Sequence, residues 1–370
     1  MRQTRTIRFV LIAAILFLGV CWVVASVSPA AEKPYPNTQY LITAKQLKQR
    51  LSKNEPLVVI DVRNDEHFDG KLIPGAIRLP WSRFRHDNPA ENMGGLFVGV
   101  IKAQEILGQH GVFRNDTVVL YDSIARDGGA TASYVFWILD MLGHQQMMIL
   151  ERGLDGWLDV GGEVVNQPEE REPLLYQAPR KEIDLRRWAD EKFIYPRLGD
   201  PYYQIIDVRS RGEYLGEKLN ATLDDSPLKA GHIPGAYNFN YEMNWSDPET
   251  KVVKSYQQLL EMYRGIAPDK AVIVYCHSAR RGSFGYFILR LMGFDDVMLY
   301  DNSWFGWGHP QRFYPVETTE NIPPGSKPPT GIKVSGKAAS AVDSSPEAKK
   351  KQRDTSVPTT DKSGYISCGG

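Results

Sequence analysis

Residues 57–63 read Leu-Val-Val-Ile-Asp-Val-Arg, and residues 204–209 read Gln-Ile-Ile-Asp-Val-Arg. Each stretch is a short apolar run that ends in charged residues, which is typical of a buried strand whose carboxyl end lies at the edge of a sheet. Such a close match between two distant stretches indicates that one domain occurs twice in the chain.

Further motif pairs recur in the same order in both halves of the chain. They are Ile-Pro-Gly-Ala at 73–76 and 233–236, an apolar strand followed by one polar residue at 118–122 and 272–276, and Gly-Trp at 156–157 and 306–307. A segment rich in Pro and Glu lies between the two sets. We therefore predict a first domain over 38–166, a linker over 167–180 and a second domain over 181–317.

Within each copy, apolar strands alternate with longer stretches that we interpret as amphipathic helices, such as 128–142 and 282–291. Strands without polar alternation that are separated by helices predict a parallel sheet covered on both faces. The predicted fold class is therefore α/β, with two domains of the same kind, each a small parallel sheet with helices on both faces. After residue 317 the chain has no Phe or Trp, so 318–370 is predicted to be a disordered tail.

The amino terminus has the pattern of an export signal. Three arginines among the first eight residues precede the apolar run 9–25, and small residues follow it. We predict a signal peptide over 1–31 with cleavage near Ala30, and hence an exported protein of the bacterial periplasm.

Two alternatives to a cleaved signal peptide stay open. Residues 9–27 are nearly long enough to cross a bilayer, so they could anchor the protein in the inner membrane, facing the periplasm. The segment that ends at Cys21 is similar to a lipoprotein box, but Val20 stands where a small residue is normal.

The composition excludes several classes of partner and site. The 370 residues include 44 Lys and Arg against 44 Asp and Glu, so no net field draws the chain to nucleic acid. Three cysteines, Cys21, Cys276 and Cys368, cannot build a disulfide scaffold. The seven histidines show no metal-ligand spacing, and we expect neither a metal nor another cofactor.

We expect Cys276 to be the reactive nucleophile of the protein. The apolar strand 272–275 leads into Cys276 and a polar loop, and Gly282 is expected to open a helix. Loop N–H groups and the positive end of that helix favour an anion, and Arg280 and Arg281 add two charges. These effects predict a lowered pKa for the Cys276 thiol and hence a nucleophilic thiolate. The alternative is a buried structural cysteine, which would need neither the arginines nor the polar loop.

These motifs resemble those of the rhodanese family. The resemblance covers residues 40–315 and includes the Asp-Val-Arg strands, the Cys276 loop, the turn at 231–236 and the Tyr-Asp-Asn-Ser-Trp segment at 300–304. The arrangement is similar to tandem thiosulfate or 3-mercaptopyruvate sulfurtransferases, whose second domain supplies the catalytic cysteine. Asp122 stands at the matching position of the first domain. The resemblance therefore implies a catalytically silent first domain that is structural, regulatory or a wall of an interdomain cleft.

The sequence departs from the family pattern near the reactive loop. Glu213 replaces an arginine that helps to hold an anionic donor, and Arg209 lies close by in the sequence. Ala279 replaces a glycine of the single-domain loops. Phosphatase relatives have one residue more between cysteine and arginine than the four that separate Cys276 from Arg281. The shorter loop favours sulfur over phosphate and leaves phosphatase or arsenate-reductase activity as an alternative.

The predicted reaction is a two-step sulfur transfer. Cys276 attacks a small-molecule donor such as thiosulfate, forms a persulfide and passes the sulfur to a thiol, to cyanide or to a protein acceptor. Loop N–H groups and Arg281 are predicted to stabilise the negative charge. The candidate donor-binding residues are His277, Ser278, Ala279, Arg280, Gly282 and Arg209. The alternative is a non-catalytic module that carries sulfur or selenium or serves as a scaffold. A further hypothesis makes Cys368 a relay for the sulfur of Cys276.

Overall fold

The computed structural model describes residues 33–126 and 128–325. The predicted export segment 1–31 lies outside them, as does Cys368, and the predictions for those residues stay predictions. Among the described residues, no helix combines the length and the apolar character that a membrane crossing requires.

The first domain is built on a parallel sheet. Its strands are β1 (Leu41–Ile42), β2 (Leu57–Asp61), β3 (Ala76–Arg78), β4 (Arg85–Asn88), β5 (Met93–Phe97), β6 (Thr117–Tyr121) and β7 (Met147–Leu150), and its helices are α1 (Ala44–Ser52), α2 (Val100–Gln109), α3 (Ala130–Met141) and α4 (Gly153–Asp159). The sheet has the order β1-β7-β6-β2-β3, while β4 and β5 form a separate antiparallel hairpin. Val58 and Ile60 pack in a core with residues of α2 and α3, and Val59 packs in another core with residues of α1 and α4. Because successive side chains of a strand point to opposite faces, helices cover both faces of this sheet.

The second domain repeats this architecture. Its strands are β8 (Trp188–Ala189), β9 (Tyr203–Asp207), β10 (Tyr237–Asn238), β11 (Ala271–Tyr275) and β12 (Val297–Tyr300), and its helices are α5 (Glu191–Ile194), α6 (Arg211–Tyr214), α7 (Tyr256–Met262), α8 (Arg280–Leu291) and α9 (Ser303–Trp307). The parallel order β10-β9-β11-β12-β8 corresponds strand for strand to β3-β2-β6-β7-β1 of the first domain. The predicted α/β class, with two domains of one kind, is confirmed.

The helices α3 and α8 join the two domains. We expected amphipathic helices here, but almost every residue of α3 and every residue of α8 is buried. The reason is that each helix packs on its own sheet and also against the other helix. Phe136 and Phe287 meet edge to face with ring centroids 5.1 Å apart. Asp140 accepts hydrogen bonds from Tyr286 at 2.5 Å and from Arg290 Nε at 2.9 Å.

The segments beside the domains are held by main-chain contacts. In the predicted linker 167–180, the Leu174 N–H donates to a carbonyl of α2 at 2.8 Å. The predicted tail 318–370 begins with ordered contacts, because the Asn321 N–H donates to the Tyr214 hydroxyl at 3.0 Å. The folded part of the chain therefore continues past the predicted boundary of the second domain.

Candidate active site

The turn around Cys276 connects the central strand of the second sheet to α8. β11 ends at Tyr275, Cys276 follows at the carboxyl end of the sheet, and α8 begins at Arg280. The predicted strand, loop and helix are therefore present. The helix begins before Gly282, so Arg280 and Arg281 lie in its first turn, where backbone N–H groups have no partner within the helix.

Ala279 makes this turn sharp. Its backbone has φ 66° and ψ −34°, a conformation that glycine adopts at little cost and that strains alanine. The Ala279 carbonyl then accepts the Ser283 N–H at 2.7 Å and starts the helix. Its methyl group is fully buried, and the predicted contact of Ala279 with the donor stays a prediction.

We predict that Ala279→Gly leaves the free energy of unfolding within about 0.5 kcal/mol of its starting value, because relief of backbone strain offsets the gain in chain entropy. Ala271→Gly is the matched control, since Ala271 is equally buried but lies in the extended strand β11. That control should lose about 1 kcal/mol. Urea unfolding measures both, and equal losses would show that Ala279 is not strained.

Ser303 holds the loop in place. Its Oγ accepts the N–H groups of Cys276 and Ala279, each at 3.1 Å, and donates to the Tyr300 carbonyl at 2.7 Å. The Trp304 N–H donates to the Cys276 carbonyl at 2.9 Å. Two of the loop amides that we assigned to an anion cradle are therefore used by Ser303. Sequence reasoning missed this residue, although it lies in the Tyr-Asp-Asn-Ser-Trp segment that carried the family resemblance.

Cys276 itself is only 1% exposed. Gly282 lies behind it, and a Cβ added there would come within 3.0 Å of a Leu299 side-chain carbon and 3.4 Å of the Cys276 nitrogen. Gly282 therefore permits the close approach of α8 to the sheet, and its predicted contact with the donor stays a prediction. The sulfur lies in a closely packed part of the site where water has little access.

Arg281 is paired with Glu213. Its Nη1 and Nη2 atoms donate to the two carboxylate oxygens at 2.9 and 2.8 Å, and both side chains are buried. Burial alone would raise the pKa of Glu213, but the hydrogen bonds and charge of Arg281, with help from Asn220 and Ser210, hold it well below its usual range. Glu213 is therefore ionised and cancels most of the charge that we expected Arg281 to offer the reactive sulfur.

Arg209 has a structural role. Its Nε lies 3.0 Å from both carboxylate oxygens of Asp207, and its Nη2 donates to Asp207 at 2.6 Å and to the Gly231 carbonyl at 2.7 Å. The side chain is 1% exposed. Arg63 makes the same contacts with Asp61 in the first domain. The Asp-Val-Arg motif thus uses its arginine to join a strand end to the following turn, and the predicted contact of Arg209 with the donor stays a prediction.

His277 lies next to Cys276 and is buried. Burial and the positive charge of Arg281 lower the pKa of His277 to about 3. A histidine with such a pKa is neutral near pH 7 and cannot deliver a proton there. His277 and Ser278 line the cleft between the domains, and their predicted contact with the donor stays a prediction.

We predict that His277→Gln leaves the shape of the pH profile of Cys276 alkylation unchanged between pH 5 and 8. The lowered pKa keeps His277 neutral over that whole interval, so its titration adds no inflection. The measurement is the alkylation rate of the Cys276 peptide by mass spectrometry. An inflection near the ordinary histidine pKa of 6.5 that disappears in the variant would contradict this assignment.

Arg280 lies in the first turn of α8 and is buried. Burial lowers the pKa of His67 in the first domain, and the charges of Arg126 and Arg280 lower it further. Arg280 is therefore close to the first domain. Its predicted contact with a donor stays a prediction.

In the first domain, Asp122 occupies the position equivalent to Cys276. Its carboxylate accepts N–H groups of Gly129 at 2.7 Å, Thr131 at 3.1 Å and Ala132 at 3.2 Å. Burial raises the pKa of Asp122 to about 6 although these hydrogen bonds oppose the shift. The amino terminus of α3 thus holds an anion that the chain itself supplies.

A cleft with a volume of about 340 Å³ lies between the domains. The first domain contributes the hairpin of β4 and β5 and residues just before it. The second contributes the loop after Cys276, residues between 221 and 225, and Phe305. The lining residues are Trp81, Ser82, Arg85, His86, Asp87, Gly94, Gly95, Ala221, Thr222, Leu223, Asp225, His277, Ser278 and Phe305. The first domain is therefore a wall of this cleft, which was one of the roles that we considered for it.

The described part of the chain contains no cluster of three or more His, Cys, Asp or Glu side chains that could hold a metal ion.

Comparison with known proteins gives the family. The Rhodanese-like domain profile matches residues 43–159 and 193–309, which together make up more than half of the chain. The chain belongs to the rhodanese family.

The relatives of this rhodanese include sulfurtransferases and a sulfur carrier. It is 28% identical over 306 residues to a thiosulfate sulfurtransferase of Corynebacterium glutamicum, covering 79% of this chain and 95% of the relative. It is 29% identical over 285 residues to the sulfur carrier protein TtuD of Thermus thermophilus, covering 74% and 95%. The crystal structure of YnjE has the same fold, with a TM-score of 0.68, 21% identity and coverage of 80% of this chain and 72% of YnjE. The family profile and the thiosulfate sulfurtransferase relatives identify the protein as a sulfurtransferase, while the YnjE structure shows the fold alone.

Proposed function

We propose that this rhodanese transfers sulfane sulfur from thiosulfate to a thiophilic acceptor through a persulfide on Cys276. The observation that carries the proposal is the equivalent turn in the first domain. There, three backbone N–H groups donate to the carboxylate of Asp122 and oppose the effect of burial, which raises its pKa to about 6. A turn of this kind therefore directs N–H donors at the residue that follows the strand. In the second domain that residue is Cys276, whose thiolate would be the corresponding anion. The Ala279 N–H, which corresponds to that of Gly129, donates to Ser303, so we assign the thiolate to the N–H groups of the first turn of α8.

The proposed reaction has two balanced steps. The Cys276 thiolate attacks the outer sulfur of thiosulfate, a new S–S bond forms, and sulfite leaves with the electron pair of the broken S–S bond. A nucleophile such as cyanide or a thiolate then takes the outer sulfur of the persulfide, and Cys276 leaves as thiolate. Neither step requires a proton from His277, which agrees with its low pKa of about 3.

The test is the mass of the peptide that contains Cys276 after treatment with thiosulfate. We expect the mass of one added sulfur, and we expect cyanide to remove it with formation of thiocyanate. Thiosulfate is the first donor to test in this experiment, because the Corynebacterium relative is a thiosulfate sulfurtransferase. If thiosulfate adds no sulfur to this peptide, the donor or the nucleophile is wrong.

A sulfur carrier is the second candidate. The pairing of Glu213 with Arg281 favours a carrier function. Because Glu213 neutralises the positive charge of Arg281, the site stabilises an anionic donor and a departing sulfite ion less well. The relative named as a sulfur carrier supports the same function. One sulfur loaded per chain without continuing thiocyanate production would identify a carrier, whereas many turnovers per chain would identify an enzyme that uses thiosulfate.

A further inference from the structure

We propose that Arg85 of the first domain binds the oxyanion group of the small sulfur donor in the interdomain cleft. This inference rests on the proposed function. Arg85 would be a donor-recognition residue supplied by the domain that lacks the cysteine.

Contacts with both domains fix the position of Arg85. The residue begins β4, its Nε donates to the Gly95 carbonyl at 2.7 Å, and its Nη2 donates to the Ser278 carbonyl at 2.8 Å. The guanidinium carbon lies 4.6 Å from the centre of the Trp81 ring. Ser278 is in the loop that follows Cys276. Arg85 therefore brings a positive charge of the first domain to the reactive loop.

Among the described residues Arg85 has no ion-pair partner, although its charge acts on the buried Asp301. Burial raises the pKa of Asp301, and the charge of Arg85 opposes that shift. Asp207 neutralises Arg209, which we had assigned to the donor, and Glu213 neutralises Arg281, which we had assigned to stabilising negative charge. Within residues 33–126 and 128–325, no carboxylate lies at ion-pair distance from Arg85. Asp87 and Asp225 also line the cleft, but both are exposed, and solvent screens their charges more than that of the half-buried arginine.

A second observation points to a ligand at the same place. Ser278 Oγ and His277 Nδ1 are buried, line the cleft and have no hydrogen-bond partner among the residues that the structure describes. Buried polar atoms in native proteins usually have partners, so these two indicate a polar group that enters from outside the chain. An oxyanion such as the sulfonate of thiosulfate can accept hydrogen bonds from a hydroxyl and from the remaining guanidinium N–H groups together.

The first experiment measures binding apart from turnover. Thiosulfate is titrated into the full chain carrying Cys276→Ser, which cannot take up sulfur, and into the same chain with Arg85→Ala, Arg85→Lys or Arg83→Ala. We expect Arg85→Ala to weaken binding about tenfold and Arg85→Lys to weaken it less, since lysine keeps the charge but loses the fork of donors. Arg83 is the matched control, because it is exposed and does not line the cleft. Absence of thiosulfate binding, or an equal effect of Arg83→Ala, would overturn the proposal.

The second experiment separates recognition from loop geometry, since Arg85 also contacts the Ser278 carbonyl. Alkylation of Cys276 is compared for iodoacetate, an anion, and iodoacetamide, its neutral analogue. We expect Arg85→Ala to lower the rate with iodoacetate at least about threefold relative to the rate with iodoacetamide. Equal losses with both reagents would show a merely structural role and overturn the proposal. If thiosulfate binding depends on Arg85 but no sulfur reaches Cys276 in the wild-type chain, the proposed function fails while this inference stands.

Discussion

Cys276→Ser is expected to abolish persulfide formation and to reduce thiocyanate production from thiosulfate and cyanide by more than about a thousandfold. A serine hydroxyl is a far weaker nucleophile than a thiolate and would need a general base. His277 cannot serve well, because its pKa of about 3 makes it a very weak base. The measurements are the mass of the peptide that contains residue 276 and the rate of thiocyanate formation.

Stability provides the control for this variant. The exchange of sulfur for oxygen at a site that is 1% exposed should change the free energy of unfolding by about 1 kcal/mol at most, so the variant stays folded at room temperature. Transfer that continues in Cys276→Ser would remove Cys276 from the mechanism. Loss of that residual transfer when Cys368→Ser is added to Cys276→Ser would assign it to Cys368.

The parts of the fold that the sequence predicts best are those set by local pattern. The Asp-Val-Arg strands and the strand before Cys276 are short apolar runs, and such runs occupy the middle of a parallel sheet because both of its faces are covered. The same local pattern predicted that Cys276 follows directly after a buried strand, which is β11. The error at α3 and α8 has a related cause, since a helix that packs on two sides is apolar all round and shows no polar face to identify it.

The electrostatics of the site could not be predicted in this way, because they depend on which charges meet in space. Arg209, Arg280 and Arg281 look equivalent in the sequence, yet Asp207 neutralises the first and Glu213 neutralises the third. The sequence marked Glu213 as a departure from the family pattern but not as the partner of Arg281.

The cleft is also a product of tertiary structure. Arg85 lies far from Ser278 in the chain and reaches it only because α3 and α8 pack the two domains together. No motif in the sequence distinguishes this arginine from its neighbour Arg83. Its role follows only from the contact that the fold creates.

The pairing of Glu213 with Arg281 leads to the second large prediction. Glu213→Gln should lower the free energy of unfolding by about 3 kcal/mol near pH 7, because Arg281 is then left buried without its counter-charge. The depressed pKa of Glu213 means that its stabilising contribution is present above the ordinary value of 4.5 and is lost as the pH falls toward the lower folded value. The difference between the wild-type chain and the variant should therefore shrink below about pH 4.5, as measured by urea unfolding at several pH values.

Glu217→Gln is the matched control for this prediction, because it removes the same charge from an exposed residue nearby and should change stability by about 0.5 kcal/mol at most. A loss in Glu213→Gln that does not vary with pH would mean that hydrogen bonding, and not charge, holds the pair.

The variant also tests what Glu213 does to the reactive sulfur. With the carboxylate neutralised, the charge of Arg281 is free to favour the Cys276 thiolate, so alkylation of Cys276 should shift to lower pH in the folded variant. An unshifted profile would show that Arg281 does not act on Cys276. Stabilisation of the Cys276 thiolate would then depend on the backbone N–H groups of the loop and on Arg280.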